Sequence, residues 1–75
     1  MAVQSAARAA YGRGEIAEEQ VRWADAAEHY ARAAQLEPTY DALFKAREFA
    51  WRAGENARAA GFGENLIRVA REEFR

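Results

Sequence analysis

Trp23-Ala24-Asp25-Ala26-Ala27-Glu28-His29-Tyr30-Ala31-Arg32-Ala33-Ala34-Gln35-Leu36-Glu37-Pro38 is the stretch that decides the fold. Trp23, Ala26, Ala27, Tyr30, Ala33 and Ala34 fall at i, i+3, i+4, i+7, i+10 and i+11, one continuous face of an α-helix. Asp25, Glu28, Arg32 and Gln35 occupy other faces, and Glu28 and Arg32 are spaced for an i,i+4 ion pair. Pro38 disfavours helical geometry at Glu37 and lacks an N–H, so the spacing predicts a helix over Trp23 to Leu36 that stops there.

On the N-terminal side a first helical segment runs from about Val3 to Gln20 and contains Gly12 and Gly14. Each glycine costs a helix interior about 1 kcal/mol relative to alanine. Either the helix begins near Ala9 or the glycines permit a close helix crossing. The break at Val21-Arg22 has no strong turn residue. On the C-terminal side Thr39 is placed to N-cap a third helix, with Asp41 in its first turn, continuing to about Ala53 and capped by Gly54. A fourth begins at Glu55 or Asn56, with Ala59, Ala60, Leu66, Ile67, Ala70 and Phe74 at helical spacing. Gly61 and Gly63 flank Phe62 and predict a close helix contact or a local irregularity. Short connections make two antiparallel helical hairpins.

Composition agrees with an all-α class. Alanine, arginine and glutamate dominate, there is one proline, and strand-favouring residues are scarce. Seventy-five residues make a single domain, 1–75, near the lower limit for folding without staples. With no cysteine and one histidine, His29, disulfides, thiolate metal sites and multi-histidine zinc clusters are excluded. No cofactor and no metal is expected. A formal net charge of −1 with interspersed acids and bases argues against a nucleic-acid face. No apolar run approaches the roughly 20 residues of a membrane span, and residues 1–10 do not read as a signal peptide. The expectation is a soluble, cytoplasmic protein.

Gly14, Ala26, Ala33 and Pro38 lie 12, 7 and 5 residues apart, with Tyr30 between the two alanines. This pattern resembles the tetratricopeptide repeat (TPR). In that family a small residue of the first helix admits the second, two small residues of the second admit a neighbour, and a proline closes the unit. The resemblance divides the chain into unit one, about 7–38, and unit two, about 39–74, stacked as a right-handed α-solenoid fragment. Phe44 and Trp51 match the large first-helix positions, 34 residues after Ala10 and Ala17, while Ala59 follows Ala26 by 33. The chain departs from the pattern in three ways: Glu48 stands where Gly14 stood, Arg13 and Arg47 stand where a large apolar residue is usual, and no closing proline follows Phe74. Trp23, Tyr30, Phe44 and Trp51 are expected to fill the core between hairpins.

First helices line the inner surface in this family, which implies candidate binding positions at Arg8, Tyr11, Glu15 and Glu18 in unit one and Lys45, Phe49 and Arg52 in unit two. The family's carboxylate clamp needs basic and asparagine residues there. Glu15 and Phe49 replace the asparagines, so that clamp is expected to be absent. Tyr11 or Phe49 would anchor a helix or extended peptide instead. Two units are few for a solenoid, and no polar capping helix follows the second. Phe62, Leu66, Ile67 and Phe74 would then lie partly exposed and mark a self-association surface.

Other features read as structural. His29 has no serine, cysteine or second histidine at useful spacing and reads as a surface or partly packed residue. Glu18-Glu19 and Glu72-Glu73 are adjacent on helices and poorly placed to share a ligand. Gly12-Arg13-Gly14 and Gly61-Phe62-Gly63 lack the lysine and hydroxyl of a phosphate loop. The expectation is therefore a non-catalytic scaffold for protein or peptide contact that forms a homo-oligomer. The rival readings are an adaptor capturing one peptide or enzyme through the concave surface, and an excised or designed segment with no separate function.

Overall fold

The computed structural model describes residues 2–73, so the expectation placed on Phe74 lies outside the described residues. Among these residues the chain forms four helices and no strand: α1 (Ala2–Glu19), α2 (Trp23–Leu36), α3 (Tyr40–Arg52) and α4 (Asn56–Glu73). Each packs on the next along the chain, giving a slab of 36 × 31 × 15 Å.

Helix α2 sits between α1 and α3 and is buried on more than one face. Ala26, Ala27, Tyr30, Ala31, Ala33 and Ala34 are all buried, and Tyr30 is the largest fully buried side chain. Alanine is used here because it lets two flanking helices approach the same backbone at little entropic cost. Helix α1 runs unbroken through both glycines, but only Gly14 marks a close crossing. A Cβ added there would lie 2.8 Å from the Tyr30 ring, whereas one at Gly12 meets nothing within 4 Å. Helix α4 likewise passes Gly61 and Gly63 without a break. Gly61 faces open space, so no close contact explains it.

The turn after α1 is a well-formed motif despite lacking a turn residue. Val21 has φ 59, its N–H donates to Glu18 O at 3.0 Å, and Arg22 N–H donates to Ala17 O at 2.9 Å. This is the Schellman pattern, with a β-branched residue in the left-handed position that glycine normally holds. The turn after α3 repeats it. Gly54 has φ 81, donates to Trp51 O at 3.0 Å, and Glu55 N–H donates to Ala50 O at 2.8 Å. Between α2 and α3, Thr39 caps as expected, its Oγ1 accepting from Ala42 N–H at 3.2 Å.

These turns set the register between the two halves. Val21 corresponds to Gly54 and Ala17 to Ala50, an offset of 33 at the two turns rather than the 34 expected for α1 and α3. The same offset relates Gly14 beneath Tyr30 to Arg47, whose Nε would lie 3.7 Å from a Cβ on Gly63. One residue is about 100° of helix rotation. The expectation that Phe44 and Trp51 are core is therefore overturned. They are 41% and 64% exposed, while Leu43, Ala46, Phe49 and Ala50 face inward. The expected Glu28–Arg32 pair is likewise not the partnership formed. Glu28 Oε1 instead accepts from Arg58 Nη1 of α4 at 2.5 Å, tying α2 to α4.

Candidate functional site

Two surfaces carry the candidate residues. The first lies where α1, α2 and α3 meet. Tyr11 stands edge-on to Tyr30, with ring centroids 5.0 Å apart. Tyr30 stacks on Phe49 at 5.6 Å, and Phe49 stacks on Trp23 at 5.4 Å. Lys45 Nζ lies over the Tyr30 and Phe49 rings, and the Arg52 guanidinium lies over Phe49 and Trp23 at 5.4 and 5.1 Å. Glu18 closes the cluster by accepting from Tyr30 OH at 2.6 Å and from Lys45 Nζ at 3.1 Å.

Electrostatics follow from that geometry. The Tyr30 hydroxyl holds the Glu18 carboxyl below its ordinary range, assisted by Lys45 against a desolvation cost. Burial, reinforced by the Glu18 carboxylate, pushes the Tyr30 phenol well above its ordinary value. Burial also raises Tyr11. The cluster thus brings together Tyr11, Glu18, Lys45, Phe49 and Arg52 from the expected set. Its charges are met within the chain: Lys45 by Glu18, and Arg52 by Glu48 at 3.1 Å. Glu15 is exposed and stands outside these bonds. Phe49 is 3% exposed, so it joins helices rather than offering an anchor to a ligand.

The second surface is a groove of about 980 Å³ between α3 and α4. Trp51, Tyr40 and Ile67 stand along it, its floor includes Ala59, Gly63 and Leu66, and Arg47, Glu48 and Glu64 are its charged residues. The groove is open because small residues of α4 face α3, where the first hairpin has Tyr30. Of the residues expected to mark self-association, Ile67 is 57% exposed and Phe62 is partly buried against both core clusters. Leu66 is buried in the core and only floors the groove, which corrects its expected exposure. Sequence reasoning assigned Trp51 to the interior and missed Tyr40. The Schellman turns were the signal for Trp51, since aligning Gly54 with Val21 rotates it outward.

A smaller cleft of about 180 Å³ includes Arg13, Ile16, Asp25 and His29. Among the described residues no group of three or more His, Cys, Asp or Glu side chains is placed to hold a metal ion. No helix among them is long and apolar enough to cross a membrane. A scan against protein-family models, a search of curated proteins and a search of solved structures find no match to this chain.

Proposed function

We propose that the chain is a non-catalytic, TPR-type scaffold for protein–protein contact, with the groove between α3 and α4 as its docking surface and another copy of the chain as its first partner. The observation that carries this reading is the exposure of Trp51, Ile67 and Tyr40 along one apolar groove. Contiguous apolar surface rimmed by charge is characteristic of contact sites, and aromatic residues dominate the energetics of such contacts. The cluster around Tyr30 supports the groove over the concave surface, because its aromatic rings and charges are already engaged with one another. The 33-residue recurrence of the helix–turn–helix unit supports the repeat reading.

Sedimentation equilibrium over a rising concentration series tests this function. The expected result is an average mass that climbs above the 8.4 kDa chain. The Ile67→Glu variant, altered at an exposed position, should hold at the chain mass with unchanged helicity. A wild-type chain that stays at the chain mass up to millimolar concentration contradicts self-association.

A further inference from the structure

We infer that the contact is head-to-tail: the groove of one copy receives helix α1 of the next, repeating the way α3 seats on the first hairpin of its own chain. This rests on the self-association reading above and specifies its geometry. With the 33-residue offset, Ala59, Gly63, Glu64 and Ile67 of the groove correspond to Ala26, Tyr30, Ala31 and Ala34, all buried in the first hairpin. The groove is therefore the unfilled counterpart of a seat that the chain itself fills with a helix.

Helix α1 carries the matching free face. The α3 residues Ala42, Ala46 and Phe49 are buried, while their α1 counterparts Ala9, Arg13 and Ile16 are exposed. Size and charge are complementary at each position. Phe49 packs on Tyr30 and Trp23; their groove counterparts are Gly63 and Asn56, which leave room for Ile16. Lys45 meets Glu18 within the chain; the counterparts are Gly12 and Trp51, and a Cβ on Gly12 would meet nothing within 4 Å, leaving space for an indole. Ala46 and Ala31 share one buried cluster; their counterparts are Arg13 and Glu64, opposite charges that form no ion pair among the described residues. Such an interface is heterologous, so it does not close on a dimer and copies add end to end.

The test blocks each end separately. Ile16→Glu blocks α1 and Ile67→Glu blocks the groove, both at side chains 57% exposed. Each variant alone is expected to remain at the chain mass, and an equimolar mixture to form a two-chain species and nothing larger. An Ile16→Glu variant that associates as the wild type does, or a mixture that stays monomeric while the wild type associates, overturns the head-to-tail arrangement and leaves self-association standing. A monomeric wild type removes the underlying reading instead. A charge exchange guards against misfolding: Arg13→Glu and Glu64→Arg should each weaken association at least tenfold, and the double variant in one chain should restore it. A double variant no tighter than the singles overturns the pairing.

Discussion

Val21 and Gly54 hold the same left-handed position in the turns that close the two hairpins, with φ 59 and 81. A β-branched residue is costly there, by roughly 1–2 kcal/mol, and glycine is not. Val21→Gly should therefore stabilise the fold by about 0.5–1 kcal/mol once the greater freedom of glycine in the unfolded chain is subtracted. Urea unfolding monitored by circular dichroism measures it. Loss of stability would mean that the exposed Val21 side chain contributes packing that its surroundings do not suggest.

The four helical glycines differ in what an added methyl meets. Gly14→Ala places a Cβ 2.8 Å from a fully buried ring, and the resulting overpacking should cost about 1–3 kcal/mol, exceeding the propensity gain. Gly61→Ala meets open space and should stabilise by up to about 1 kcal/mol. Opposite signs in parallel denaturation curves are the expected outcome.

Phe44 and Phe49 test the register of α3. Phe49→Ala removes a ring packed between Tyr30 and Trp23 and should cost about 3–5 kcal/mol, enough to unfold a small domain. Phe44→Ala removes a ring that is 41% exposed and should cost well under half of that. Equal losses would place the inward face of α3 elsewhere.

Glu18 and Tyr30 give the fold two pH limbs. The depressed folded-state pKa of Glu18 means its contribution is present above its ordinary value of 4.5 and is lost as pH falls through the lower folded value. The raised Tyr30 pKa means its contribution is complete below 10.0 and is lost as pH rises beyond that. Glu18→Gln should flatten the acid limb, and Tyr30→Phe the alkaline limb, in thermal unfolding followed against pH. A Glu18→Gln variant with an unchanged acid limb would show that the bond to Tyr30 does not form in solution.

Much of this fold was legible because α2 is legible. Trp23 to Leu36 carries a single unambiguous period and a proline stop, and the helix has those bounds. The second half is harder because α3 carries two competing faces. Phe44 and Trp51 are spaced as one face, and Leu43, Ala46, Phe49 and Ala50 as another. Side-chain size favours the first face; the Gly54 turn, once matched to Val21, favours the second. That match was hidden because valine rarely adopts a positive φ, so Val21 did not read as a turn residue. Tyr11, Glu18, Lys45, Phe49 and Arg52 were singled out in sequence and do cluster, but their mutual neutralisation was not visible there. Glu18 reaches both Tyr30 and Lys45 only through the packing of three helices.

Whether the groove between α3 and α4 is a contact surface is tested most directly by the fluorescence of Trp51, made the sole indole by Trp23→Phe. At micromolar concentration an indole that is 64% exposed should emit as a solvated tryptophan and be readily quenched by acrylamide. As concentration rises and the sedimentation mass increases, the emission should shift to the blue and the quenching constant should fall severalfold. An emission and a quenching constant that stay unchanged while the mass increases would contradict the assignment of the groove.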